Sequence, residues 1–299
     1  MIAKSDINYV LKAVLKSFIC SVLLIVGMIV GGIVAIILGL TQPTMPASID
    51  TNLTIILMIP AGMIISIVLG ELFKKLDQGF LERFVCIFLF NYIIYYLLQV
   101  FESVIFTTMM NLSFGIVMDI FPSLFISLAI AKMWKPIKED RSLRTEAKSY
   151  FAKRKTLDWT WRFVLAWLAY VPLYYFIGVA ISPWVLPYYN DPNLDLGIIL
   201  PDTSVMIALQ FVRSAYFLFA TMLVIIMWRG TKQSLLLWLG FSIFVQVAVI
   251  PLIVGYWLPI GLRIPHAIEL TIDSFVQAII YVGLLFNNIP SPNSVVSKN

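Results

Sequence analysis

The chain has 299 residues, of which 61% are hydrophobic and only 12% are charged. This composition excludes an ordinary soluble domain and indicates an integral membrane protein. The formal net charge of +5 comes from Lys and Arg gathered in short segments between apolar runs. That pattern orients membrane proteins, so the basic excess does not indicate a nucleic-acid partner.

The apolar runs predict eight membrane helices, each near the roughly 20 residues needed to cross a bilayer. In chain order, the predicted spans are residues 17–40, 53–73, 84–107, 114–134, 161–181, 205–228, 235–258 and 264–286. The predicted fold class is therefore an all-α polytopic membrane protein with eight transmembrane helices, and its first partner is the lipid bilayer.

The first span follows a basic amphipathic lead-in, residues 1–16, and carries a stripe of small residues. Gly27, Gly31, Ala35 and Gly39 recur at every fourth position. Small residues at this spacing let a neighbouring helix approach closely. The stripe is typical of packing inside the protein, and a contact in a homo-oligomer is the alternative.

The most polar segment, residues 135–158, carries eight basic and four acidic residues. By the positive-inside rule it lies in the cytoplasm, with both termini on the same side of a cell membrane. It is predicted to be an orienting linker, and binding of lipid phosphates is the alternative. It separates a first four-helix unit, residues 1–134, from a second, residues 159–287. A cytoplasmic tail, residues 288–299, follows the second unit.

The two halves share one plan of spans and loops. An offset of 154 residues places Asp119 on Asp273. We therefore expect two parallel four-helix repeats, related by an axis along the membrane normal.

Polar side chains recur inside the spans, where burial is costly and such residues face a partner or water. Four on the third span are spaced by four, four and three residues, so they share one helix face. They are Asn91, Tyr95, Gln99 and Glu102. The fourth span adds Asp119, and the sixth adds Gln210 and Arg213.

The last span begins with the only histidine of the chain. His266, Glu269 and Asp273 fall within a wedge of roughly 60° on a helix. Pro265 suits the first turn of that helix, which places Arg263 just outside, at its mouth. Arg263 is also the one basic residue that the predicted topology puts on the outer side.

These side chains share one depth in the outer half of the membrane and predict a polar chamber open to the outside. The predicted ligand- or proton-binding residues are Glu102, Asp119, Arg213, Arg263, His266, Glu269 and Asp273. Asn91, Tyr95, Gln99 and Gln210 are predicted to support them. Taken singly, Arg213 is typical of a structural ion pair and His266 of an interfacial histidine bonded to a carboxylate.

Three functions remain open at this stage. The first is a transporter or ligand-binding protein. In it, an arginine attracts a small anionic or amphipathic ligand, and the carboxylates balance charge or bind protons. The second is a membrane-embedded enzyme that acts on a lipid or isoprenoid. The third is a non-catalytic subunit whose polar stripes pair one helix with another.

The sequence assigns no catalytic residue, metal or cofactor. With one histidine and no H-E-x-x-H, a zinc site is not predicted, and di-histidine haem ligation needs a second histidine. No G-x-S-x-G nucleophile elbow occurs either.

Overall fold

The computed structural model of the chain describes residues 4–44, 46, 48–109, 111–191, 194 and 196–287, so the predicted tail, 288–299, lies outside the described residues. The described part is helical. Its helices are α1 (Lys4–Ile37), α2 (Thr51–Phe73), α3 (Phe80–Phe106), α4 (Leu112–Met133), α5 (Leu143–Phe151), α6 (Thr156–Tyr189), α7 (Thr203–Met227), α8 (Lys232–Val254) and α9 (Ile260–Leu285). All except α5 are long and apolar enough to cross a membrane. The prediction of an all-α, multi-pass membrane protein with eight such helices is confirmed.

All eight membrane helices begin earlier than the sequence predicts, and for α1 and α9 the difference changes the interpretation. The lead-in is continuous with α1 because no Gly or Pro interrupts the chain before Gly27. Helix α9 begins at Ile260, so the predicted start at residue 264, with Pro265 in the first turn, is wrong. The turn closes at Pro259, whose carbonyl accepts from the amides of Leu262 and Arg263 at 3.0 Å each. Arg263 therefore lies on α9 and not outside it.

Three of the spans depart from regular α-helix. Helix α3 contains a π-helical segment, Tyr92–Leu97, and α8 contains another, Val245–Val249. Helix α6 is interrupted at Ala169, because the nearby Pro172 has no N–H to donate to the carbonyl of residue 168. Such π-helical segments are rare and often occur at functional sites.

The helices of the two halves make matching contacts. Helix α1 packs against α2 and α4, and α3 packs against α4. In the second half, α6 packs against α7 and α9, and α8 packs against α9. Between the halves, α2 meets α8, α7 meets α3, and the two π-helical segments meet each other.

The small-residue stripe of α1 faces α4. A Cβ added at Gly31 would lie 2.1 Å from the Met118 carbonyl oxygen, and one at Gly27 would lie 2.5 Å from the Pro122 Cα. Only glycine allows the two backbones to approach this closely. Gly39 lies beyond the helix with a φ of 72°, in a turn. The glycine face is thus filled by a helix of the same chain.

Basic side chains cap the helices that end at one end of the bundle. We call this the basic end; it comprises the linker 135–158, the start of α1 and the ends of α2, α4, α7 and α9. Lys16 donates to the backbone carbonyl of Met133, and Arg83 donates to that of Ala131. Arg141 donates to the carbonyls of Leu76 and Met227, and Arg162 donates to that of Leu284. A cation at a helix C-terminus satisfies free carbonyls and interacts favourably with the helix dipole.

The linker is folded onto this end through Glu146 of α5. Glu146 accepts from Arg141 Nε at 3.0 Å and also from Arg229, which follows α7. Partial burial alone would raise the pKa of Glu146, but hydrogen bonds from the two guanidinium groups and their positive charges lower it below its usual value. Tyr150 of α5 donates to the Leu285 carbonyl at the end of α9. The linker therefore joins the two halves.

Candidate functional site

A cavity of about 240 Å³ lies at the end of the bundle opposite the basic end. Its walls come from the end of α3, the first half of α7, the end of α8 and the start of α9, with Tyr174 and Tyr189 from α6. We call it the outer cavity. Seven of the residues predicted from the sequence line it: Gln99, Glu102, Gln210, Arg213, Arg263, His266 and Glu269.

Arg213 and Glu102 form an ion pair across the wall between α7 and α3. Arg213 Nη1 donates to Glu102 Oε1 at 3.1 Å. The arginine side chain is 2% exposed and the glutamate 29% exposed, so the carboxylate is the partner that reaches the cavity. Arg213 Nε forms no hydrogen bond within the described part of the chain.

Asp273 lies behind the cavity wall and not in it. The hydroxyl of Tyr170 donates to Asp273 Oδ2 at 3.3 Å, and the Arg213 guanidinium stands 5.2 Å from the centre of the same tyrosine ring. A continuous polar layer thus connects Glu102 to Asp273 through Arg213 and Tyr170. Asp273 is 2% exposed and is not among the residues that line the cavity.

His266 and Glu269 form a second pair one helical turn apart on α9. His266 Nδ1 lies 2.9 Å from Glu269 Oε2. The histidine is about one third exposed, whereas Glu269 is 5% exposed, so the imidazole presents its other nitrogen on the accessible side. A buried carboxylate that holds one ring nitrogen fixes the orientation of the imidazole, as in acid–base sites.

Arg263 differs from the other charged groups of the cavity. Its Nη1 donates to the Leu252 carbonyl at 3.0 Å, and its Nε has no hydrogen-bond partner among the described residues. In the same part of the chain, no carboxylate lies within ion-pair distance of its guanidinium. Its guanidinium therefore has no carboxylate partner among the described residues.

Besides Asp273, three predicted residues lie outside the cavity lining. Asp119 on α4 is 8% exposed, and Asn91 on α3 is fully buried and donates to Ser123 Oγ at 3.3 Å. Tyr95 packs edge-on against Tyr96 in the π-helical segment of α3. These residues form part of the contact between α3 and α4, nearer the middle of the bundle.

The sequence did not identify the apolar wall of the cavity. This wall consists of Val247, Ala248, Pro251 and Leu252 of α8 with Trp257, Leu258, Leu262 and Leu270. Apolar residues carry no signal in an apolar span, which is why they were missed. Two residues of α8 could have drawn attention to it, the polar Gln246 in an apolar span and Pro251, which has no N–H for a helix hydrogen bond.

The outer cavity combines paired charges, one guanidinium without a carboxylate partner among the described residues, and an apolar wall. Among the described residues, no group of three or more His, Cys, Asp or Glu side chains is arranged to hold a metal ion. Ser103 also lines the cavity. No protein-family model, curated protein or solved structure matches the chain.

Proposed function

We propose that the protein binds a small amphipathic anion in the outer cavity, as a transporter or ligand-binding membrane protein. The observation that carries this proposal is the Arg263 guanidinium, which faces the cavity without a carboxylate partner in the described part of the chain. An arginine kept in an apolar setting is usually paired, so a negatively charged group of a ligand is its natural partner.

The other charges of the cavity do not compete for that role. Arg213 forms an ion pair with Glu102, and Glu269 bonds to His266 Nδ1. With these two pairs formed, the carboxylates repel an anion less strongly than free carboxylates would. Arg263 therefore gives the cavity its preference for negative charge.

The apolar wall supports an amphipathic ligand over a small inorganic anion. Pockets for organic ligands are mostly apolar, with a few placed polar groups that fix orientation. Here Leu252 stands next to the guanidinium, because its carbonyl accepts from Arg263, and Val247 and Pro251 precede it on α8. A single short hydrocarbon tail on an acidic head matches this arrangement and the volume of about 240 Å³.

His266 is the residue that we propose carries a proton with the ligand. An imidazole can both accept and donate a proton, and Glu269 holds this one at the cavity. Proton-linked binding follows if the anion and the imidazolium occupy the cavity together.

We further propose that the basic end faces the cytoplasm of the cell that carries the protein, so that the outer cavity opens to the outside. The capping of four helix ends by Lys and Arg supports this orientation. The matching contacts of the two halves support two four-helix repeats related by an axis along the membrane normal. Their π-helical segments begin at Tyr92 and Val245, 153 residues apart, close to the offset found in the sequence.

The test compares octanoate with octanol, which share a hydrocarbon tail and differ in charge. We expect octanoate to stabilise the purified protein against thermal unfolding more than octanol does, and Arg263→Gln to remove the difference. Losing one charge-assisted contact should weaken octanoate binding by roughly tenfold to hundredfold. The control is Arg144→Gln, an exposed arginine of the linker. Equal effects of octanoate and octanol, or an Arg263→Gln variant with unchanged preference, would contradict the proposal.

A second function, hydrolysis of an ester of such an amphiphile, is favoured by the His266–Glu269 pair, whose geometry suits a general base. Release of octanoate from an octanoyl ester by the purified protein, abolished in His266→Ala, would support it. Absence of release would leave binding or transport as the function.

A further inference from the structure

A second cavity, of about 350 Å³, lies at the basic end between α1, α2 and α4. Five lysines line it: Lys12, Lys16, Lys74, Lys132 and Lys135. We call it the lysine pocket. It shares no residue with the outer cavity.

Two of these five lysines bond to other groups of the protein. Glu71, the one carboxylate of the lining, accepts from the Tyr9 hydroxyl at 2.5 Å and pairs with Lys74 at 3.8 Å. Lys16 donates to the Met133 carbonyl at 2.8 Å. The remaining three, Lys12, Lys132 and Lys135, are exposed and form no ion pair with another described residue.

The pocket lies at the level where the membrane surface meets the bundle. Helices α2 and α4 end at Phe73 and Met133, next to the pocket, and the 21 residues of α1 from Ser17 to Ile37 are enough to cross the hydrocarbon. Trp134, a residue type enriched at the interface, closes one side beneath Lys16. The lysines are thus at the depth of lipid head groups.

Apolar side chains continue from the pocket into the region of the acyl chains. Leu15 and Ile19 of α1, three and seven residues after Lys12 and on the same side of the helix, are exposed. An occupant with an anionic head and hydrocarbon tails would therefore contact lysines and apolar residues together. A soluble anion would leave the apolar residues unused.

We propose that the lysine pocket binds the phosphate group of an anionic phospholipid. The chemistry is recognition of a phosphate ester by several ammonium groups, the usual form of lipid recognition by basic pockets between membrane helices. The glutamate in the pocket pairs with Lys74 and accepts a hydrogen bond from Tyr9, so it opposes the phosphate less than a free carboxylate would.

The experiment titrates the full-length protein in detergent with phosphatidylglycerol or phosphatidylcholine of identical acyl chains, and counts bound lipid by native mass spectrometry. We expect the native chain to prefer phosphatidylglycerol. The triple variant Lys12→Gln, Lys132→Gln, Lys135→Gln should bind it roughly a hundredfold more weakly, with phosphatidylcholine unaffected.

The matched control is Lys138→Gln, Arg144→Gln, Lys155→Gln, which removes the same charge from exposed linker residues outside the pocket. It should retain the preference. Equal weakening by both triples would mean that net charge alone attracts the lipid, and would overturn the proposal. If the pocket triple fails to fold, Lys132→Gln and Lys135→Gln are tested singly, and each should weaken binding severalfold.

A competition experiment distinguishes a lipid from a soluble ligand. Excess inorganic phosphate should not displace phosphatidylglycerol, because it lacks the acyl chains. Displacement by phosphate alone would assign the pocket to a soluble phosphate compound, and the lipid proposal would be wrong.

Discussion

At the scale of single residues, burial decides which charges of the outer cavity support structure and which are free for a ligand. Arg213 is almost fully buried and is matched by Glu102, whereas Arg263 is half-buried and has no carboxylate partner among the described residues. Two arginines on one cavity thus have different roles. The first holds α7 to α3, and the second is the one that we propose binds the ligand.

The Arg213–Glu102 pair makes a clear stability prediction. Glu102→Gln leaves the buried guanidinium without a neutralising charge and should lower the free energy of unfolding by about 3 kcal/mol. Thermal or denaturant unfolding in detergent micelles measures this. Ser103→Ala, at the neighbouring cavity position, is the control and should change it little. A loss below about 1 kcal/mol for Glu102→Gln would show that the pair is effectively solvated.

The sequence indicated most of the polar wall because charged residues inside apolar spans are conspicuous. It could not separate Glu102 from Asp119, since both are acidic residues at similar depth. Only the packing of the helices places Glu102 on the cavity and Asp119 on the contact between α3 and α4. It also misplaced Arg263, because Pro265 resembles a helix start while the helix in fact begins at Ile260.

At the scale of elements, α1 and α4 are held together by close contact of backbones. At Gly27 and Gly31, the backbone of α1 lies directly against the backbone of α4, so backbone atoms rather than side chains make this contact. The sequence showed the stripe but not its partner, since spacing alone does not distinguish a neighbour in the same chain from another copy. The earlier start of α1 also escaped prediction, because an amphipathic lead-in and a membrane span share one helical pattern.

The two adjacent glycines of α1 provide a matched pair of substitutions. Gly31→Ala places a methyl group against the Met118 carbonyl and should lower the free energy of unfolding by about 1–3 kcal/mol. Gly32→Ala meets no atom within 4 Å and should be neutral or slightly stabilising, because alanine favours helix. Unfolding in micelles compares them. Equal stability of the two variants would contradict the close contact of α1 with α4.

At the scale of the whole molecule, the linker 135–158 connects the two halves at the basic end. Arg141 donates to carbonyls at the ends of α2 and α7, one from each half, and Glu146 holds Arg141 in place. From sequence, the segment was predicted to be an orienting linker, with binding of lipid phosphates as the alternative. Its charge was visible, but its hydrogen bonds to helix ends depend on the packing.

This arrangement predicts an acid-sensitive contribution to stability. The pKa of Glu146 is lower in the folded protein than its ordinary value of about 4.3, so its ion pairs stabilise the fold above that pH and lose this effect as the pH falls through the lowered pKa. Glu146→Gln should therefore cost about 1 kcal/mol at neutral pH, and the cost should shrink as the solution becomes more acidic. Thermal unfolding across pH measures it, with exposed Asp140→Asn as the control. A cost that grows towards acid would contradict the role of Glu146.

The central claim is that the outer cavity is open to the outside and binds an amphipathic anion. Ala267→Cys places a thiol on the cavity, and Ile268→Cys places one on the exposed apolar face of α9. The natural cysteines, Cys20 and Cys86, are buried and should not react. A membrane-impermeant maleimide applied from the outer side should modify the thiol at position 267 and not that at 268, and octanoate should slow the reaction while octanol does not. An unreactive thiol at position 267, or equal protection by octanoate and octanol, would contradict the account.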